Sequence, residues 1–502
     1  MNNPSTTIPA PGPGENTTFT NEVWEQYYMP PILTLEEGWT EIGWQAFVDN
    51  PDLQTIRIAA SVVNILEDAF GGAINLRQVE FAEGSRLEFI GEGAFKGAVA
   101  LERINIPSGV SSIGPEAFSN TTALEQVTFE EGSHLEMIGS QAFASATALT
   151  TIRIPAAVRN LHNFTFHNAS SLVEATFEEG SKLEAIGDGV FDGATALQTF
   201  QIPAGVSNLG KGVFRNATSL QTIHIPKLVQ TLMIMTFDNA SSLREVTFEE
   251  GSLLQTIAGG SFHRTTALQT IQIPAGVTLI EKCAFKNATD LQMIRIPKLV
   301  TTIGDQAFAN TTSLREVTFE QDSQITSIGY DAFKESGLTL VAIGESALNR
   351  LNNDVRSRNR AEIESGRRPI RFLQEGHFIE NNNFYGADYV KIVSRAQQID
   401  TLQLITKKPA YKKQGFFGKL LGKPKKQTRA ALPDEITREI GKFLMPAGVE
   451  PKSPAALANR KGGACKPRTR KQGIRRNRTA SIISTRRTQK CKSNRRRTMK
   501  RK

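Results

Sequence analysis

Apolar residues return in a fixed order along residues 39–348. One stretch reads Leu101-Glu-Arg-Ile104-Asn-Ile106-Pro107-Ser-Gly-Val110-Ser-Ser-Ile113-Gly114-Pro-Glu-Ala117-Phe118. Ile104 and Ile106 alternate around Asn105, and a period of two predicts a short strand with one face buried. Pro107 has no amide hydrogen to donate, so the strand ends there. Val110 and Ile113 predict a second extended piece and Gly114 a tight bend. Ala117-Phe118 fits a single helical turn that drives the ring inward, after which the order begins again.

The phenylalanine sets the period. It stands at 47, 70, 95, 118, 143, 166, 191, 214, 237, 262, 285, 308 and 333, always 23 or 25 residues from the last. Units that end in Ile-Pro give the short step. Those that end in Phe-Glu-Glu-Gly-Ser, as at Phe129, Phe177 and Phe248, carry two more residues. No unit of this length buries its apolar side alone, but a stack of thirteen makes a continuous core in which each contacts only near neighbours. The expected fold class is a repeat solenoid of short parallel strands and single helical turns. Asn120, Asn168, Asn216, Asn239, Asn287 and Asn310 each follow the Phe by two residues. A buried asparagine there is expected to bond the backbone of the neighbouring coil.

The string Leu-x-x-Ile-x-Ile-Pro-x-x-Val-x-x-Ile-Gly-x-x-Ala-Phe resembles the BspA-type leucine-rich repeat, found in bacterial surface proteins, amoeboid and trichomonad parasites and giant DNA viruses. The resemblance implies a leucine-rich-repeat solenoid that binds other molecules and has no catalytic activity. It covers residues 39–348. The chain departs from the family where a Cys often follows Ala-Phe; Ala or Thr stands there instead, as in Asn216-Ala217-Thr218.

Outside the repeats the pattern changes. Residues 1–38 are read as an N-terminal low-complexity and capping segment. The first twenty, rich in Pro, Thr and Asn, have neither the basic start nor the apolar run of a signal peptide. Residues 349–405, mixed and polar, predict a small cap or module, and 406–430 a basic linker. Within 431–446, Leu432 and Pro433 open an amphipathic helix with Ile436, Ile440, Phe443 and Leu444 on one face. This segment resembles the first helix of an F-box, which implies docking onto a ubiquitin-ligase subunit; an amphipathic helix packed on the cap is the other reading. Residues 447–502 are expected to be a disordered basic tail with few large apolar residues.

Charge divides along the same lines. The net charge of +9 combines 20 Lys and Arg with no acid in residues 451–502 and a net −15 in residues 39–348. Such a tail suits sequence-indifferent contact with nucleic acid or a nuclear address. Three cysteines, Cys283, Cys465 and Cys491, are too scattered for a disulfide framework or a metal site, which suits an intracellular compartment, cytoplasm or nucleus. No stretch has the roughly 18 consecutive apolar residues of a spanning helix.

Catalytic chemistry is not expected, nor a cofactor or metal. Gly205 to Gly212 nearly spells a phosphate-binding loop, but Gly212 stands where a Ser or Thr is required, and both end glycines occupy routine repeat positions. The Glu pairs at 130–131, 178–179 and 249–250 are expected to form a solvated acidic row. The candidate functional surface is the outward column of the first strand: Arg57, Glu80, Asn105, Thr128, Arg153, Thr176, Gln201, His224, Thr247, Gln272, Arg295 and Thr318. Solenoids use such faces as extended binding surfaces. Three readings stay open: a protein-binding scaffold, a ligase adaptor, and a nucleic-acid-associated protein.

Overall fold

A computed structural model describes residues 5–351, apart from 13, 27–29, 339 and 345, together with the backbone of Tyr389–Ile392. The expected linker, F-box-like helix and basic tail lie outside the described residues, as does most of the expected module at 349–405.

The chain winds into a parallel β-solenoid. Each coil carries a four-residue strand such as Arg103–Ile106 and a two-residue strand such as Ser112–Ile113, each paired with its counterpart one coil away. The register is strict: Asn105 faces Thr128 while Ile104 faces Val127. Because side chains alternate along a strand, every apolar Ile or Val then points into the core and every intervening residue points out. Proline at the strand end keeps the ladder short, as expected.

At the core, the thirteen phenylalanines form one continuous stack from Phe47 to Phe333. Adjacent rings lie 4.9 to 5.7 Å apart and within 14° of parallel. This spacing is close to the roughly 4.7–4.9 Å between neighbouring strands, so the rings inherit their separation from the backbone ladder. The widest step joins Phe191 to Phe214. There Phe200 occupies an isoleucine position and wedges against both rings, at 4.7 and 5.4 Å.

The turn at Ala-Phe drives the ring inward as expected, but it is not helical. The residues two before and two after every one of the thirteen phenylalanines are left-handed, with φ of 51–66° and 52–78°. Reversing the backbone twice turns alternate amides out of the coil. Glu116, Phe118 and Asn120 donate to carbonyls of Ser140, Ala142 and Ala144 in the next coil, while Ser119 donates back to Glu116. An α-helical turn would direct all its amides along its own axis and leave the coils unjoined on this side.

The repeat asparagines are therefore selected for φ, since Asn tolerates the left-handed region. They are exposed or half-buried, not buried. Their side chains bond other side chains instead of backbone: Asn239 Nδ2 donates to Asn216 Oδ1 at 3.0 Å and Asn310 Nδ2 to Asn287 Oδ1 at 2.8 Å, while Asn120 bonds Ser119 and Asn168 bonds His167. Gly114 also has a different role from the one its sequence position suggests. A Cβ there would lie 2.7 Å from Glu92 N and Gly91 C, so glycine is required by close approach of the preceding coil.

Solenoid geometry begins before residue 39. Ser5–Ile8 pairs with Ile32–Leu35, and Thr18–Phe19 with Glu41–Ile42. The short helix Asn21–Glu25 places Trp24 in the phenylalanine position, edge-on to Phe47 at 5.3 Å, so residues 5–25 make a first coil that covers the end of the stack. At the other end Leu340–Ile343 pairs with both Glu316–Phe319 and Tyr389–Ile392.

Neither ladder is continuous. The four-residue strands form an eleven-stranded sheet ending at Glu245–Phe248 and a four-stranded one starting at Met293–Ile296. The two-residue strands break between Asn208–Leu209 and Thr231–Leu232. Both breaks fall where two short coils follow one another.

Candidate functional site

The strand register sets the outward column side by side. Arg57 pairs with Glu80, Asn105 with Thr128, Arg153 with Thr176, Gln201 with His224, His224 with Thr247, and Arg295 with Thr318. Gln272 lies in the coil that carries no four-residue strand. All twelve residues are exposed or half-buried.

Three adjacent pairs of the column bond across coils, and Arg295 bonds a glutamate beside it. Arg57 Nε lies 2.6 Å from Glu80 Oε2, and Arg295 Nε 3.0 Å from Glu320 Oε1. Thr128 donates to Asn105 Oδ1 at 2.8 Å, and His224 Nδ1 lies 2.9 Å from Thr247 Oγ1. These are solvent-facing contacts, each contributing roughly 0.2–1 kcal/mol. Beside the first coils the column borders an open depression lined by Thr34, Glu37, Arg57, Glu80 and Phe81.

The acidic row is not merely solvated. The first Glu of each long coil reaches back to the amide that follows the proline of the preceding short coil. Glu130 accepts from Ser108 at 3.0 Å, Glu178 from Ala156 at 3.1 Å, Glu249 from Lys227 at 2.8 Å and Glu320 from Lys298 at 3.1 Å. At the first long coil Ala82 replaces this Glu, and the exposed amide of Ala60 is bonded by Glu37 from the other side, at 2.8 Å. These carboxylates join coils where the proline has ended the ladder. The sequence holds no local sign of this, because donor and acceptor are 22 or 23 residues apart.

The Ala60 amide holds the Glu37 carboxyl below its ordinary value against the opposing effect of burial, with the Ser61 amide adding to it. A carboxyl lowered on folding stabilises the fold above its unfolded value of about 4.5 and ceases to do so as pH falls through the folded value. Glu37→Gln should therefore lower the melting temperature at neutral pH, and the gap to the unsubstituted protein should narrow as pH falls below 4.5. Thermal melts across that range check the sign.

A second polar ladder, not apparent from the repeat pattern, follows the phenylalanines on the turn side. Asp192 is buried, and accepts from Arg215 at 2.5 Å and from Asn216 at 3.1 Å, with His167 Nδ1 at 3.5 Å. Asp238 lies 2.8 Å from His263 Nδ1. Asp192 raises the Arg215 pKa, its hydrogen bond outweighing the desolvation of the guanidinium. Alternating signs at the position after the Phe were the available signal: His167, Asp192, Arg215, Asp238 and His263 succeed one another coil by coil.

Among the described residues, no group of three or more His, Cys, Asp or Glu side chains could hold a metal ion, and no helix is long and apolar enough to cross a membrane. The arrangement is one of parallel ladders, suited to contact over a surface.

Comparison with known proteins gives the same architecture. A crystal structure of a leucine-rich repeat protein from Bacteroides ovatus is 25% identical, with a TM-score of 0.52, covering 63% of this chain and 85% of its own. A leucine rich cell surface protein from Faecalibacterium prausnitzii is 22% identical, with a TM-score of 0.38, over 62% of this chain and 86% of its own. The pneumococcal vaccine antigen PcpA is 20% identical, with a TM-score of 0.42, over 68% of this chain and 81% of its own. No curated protein matches. The model of the BspA type leucine rich repeat region, built of six copies, matches residues 40–173, 88–221, 160–292 and 235–355, so it spans more than half of the sequence. With its strands in register and its phenylalanines in one stack, the chain belongs to the BspA-type leucine-rich repeat family.

Proposed function

We propose that this chain is an intracellular binding scaffold that holds a protein partner on the outward columns of its four-residue strands. One observation carries the reading. The charges at the two ends of that surface are tied into the pairs Arg57–Glu80 and Arg295–Glu320, while Gln198, Thr199, Gln201, Thr222 and His224 stand exposed on adjacent central coils. Amides and hydroxyls both donate and accept, so this centre suits a partner's polar side chains and free backbone groups. The ladder beneath fixes their backbone, so no main-chain freedom is lost on binding, which favours affinity.

Capture of partners from the native cell, with and without Gln201→Glu and His224→Glu together, tests the reading. The double variant should lose the partner while its melting shifts by no more than about 0.5 kcal/mol per exposed site. Unchanged capture sinks the proposal. A second reading rests on residues 451–502, whose 20 basic residues and absence of acid favour nucleic acid. Captured material released by nuclease would favour that reading, and ligase subunits in it would favour an adaptor acting through Leu432 to Leu444.

A further inference from the structure

The turn side of the solenoid carries two exposed apolar patches of opposite surroundings. The first lies on the coils of Phe47 to Phe95, where Trp44 is 61% exposed and Val48, Ile74 and Val99 also face solvent. Asp49, Glu67, Asp68 and Glu92 surround it, and among the described residues none of the four makes an ion pair. The one lysine nearby, Lys96, is bound to Glu116 at 2.5 Å.

The second patch lies on the coils of Phe166 to Phe285. Phe164 is 37% exposed, Ile234 43% and Met235 41%. Phe164 and Met235 take the left-handed position before the Phe, with φ of 61° and 59°, where the other coils use Gly, Asp, Glu, Gln or Cys. A bulky side chain is unfavourable in that conformation, and here it is also held out in water. The ring of Phe164 lies over Gly189, Met235 leans over Gly260, and Gly212 between them is bordered by the Arg215 side chain, 3.6 Å from its would-be Cβ. The result is a notch with an apolar wall on each side. Lys211, Arg264 and Lys282 are exposed around it, and among the described residues none makes an ion pair. The local acids are already engaged: Asp192 by Arg215, Asp238 by His263, Asp188 by the amide of Lys211 and Glu281 by the amide of Gly259.

We propose that this notch receives Trp44 of a second copy of the chain, so that two solenoids lie antiparallel along their turn sides. Apolar then meets apolar, and the unpaired Asp49, Glu67, Asp68 and Glu92 of each copy meet the unpaired Lys211, Arg264 and Lys282 of the other. The patches lie at different heights along the same side of the stack, so one two-fold axis midway between them makes both contacts at once and closes the assembly at two. A central tryptophan within a ring of charges is the usual anatomy of a strong contact. The outward strand columns stay free for another partner.

Sedimentation velocity on the full chain tests this. The unsubstituted protein should sediment as a dimer at low salt and shift toward monomer as salt rises, since exposed charges are screened. Trp44→Glu alone and Met235→Glu alone should each give monomer, with melting of the solenoid unchanged because both side chains are exposed. An equimolar mixture of the two variants should recover part of the dimer, because each retains the patch that the other lacks. A monomer at every salt concentration overturns the proposal. So does a dimer that survives both substitutions, or a mixture that stays monomeric while each variant alone has dissociated.

Discussion

Phe191→Ala should destabilise the protein by on the order of 3–5 kcal/mol, the usual loss when a buried aromatic leaves a core cavity. The ring is wholly buried and touches Phe166, Phe214 and Phe200, at 5.6, 5.7 and 4.7 Å. No neighbour can move into the gap, because each ring is held at its own height by its coil. Arg153→Ala, on the outward column one coil earlier, removes only a solvent-facing side chain and should shift stability by about 0.5 kcal/mol or less. Denaturant melts of the two variants give the comparison. Equal shifts would contradict the assignment of faces.

Gly114→Ala should be the next most damaging, at about 1–3 kcal/mol for a methyl forced into a filled space. Its φ is not left-handed, so the penalty comes entirely from contact with the backbone of Gly91 and Glu92. Backbone is a poor cushion, since moving it breaks the amide of Gly114 from Ile90 O, now 2.7 Å away. Gly132→Ala, in a loop where no atom lies within 4 Å of the would-be Cβ, isolates the other effect: its φ of 77° strains any side chain but nothing is struck. The first variant should lose more stability than the second by urea titration. The reverse order would mean that conformation, not contact, selects the glycine column.

Much of this was legible in the sequence because the repeat states its own geometry. Period two around Asn105 gave the strand, Pro107 its end, and the spacing of Phe47 to Phe333 the stack. What escaped notice has identifiable physical causes. The first coil was hidden because Trp24 stands at the repeat position, 23 residues before Phe47, while the ring stacked on Phe47 comes from Phe19 in the short strand. Ala-Phe alone suggests a helical turn, while the decisive residues flank it: Gly93 and Gly97, or Gly189 and Gly193, point to paired left-handed positions. The carboxylates of Glu130, Glu178, Glu249 and Glu320 act on the coil before their own, so no local pattern reveals their partner.

The carboxylate that reaches back makes a short coil dependent on the long coil after it. Heritable change in the array is thereby constrained. Copying or removing the two together keeps every amide matched, whereas losing a long coil orphans the amide of the short one before it. At Pro203-Ala204 and Pro274-Ala275 a short coil is followed by another and, among the described residues, no carboxylate bonds the alanine amide. At the first the strand is cut to Thr199–Gln201, and at the second residues 269–273 form none. The true word of this sequence is a couplet, and its length can grow or shrink by couplets without scarring the fold.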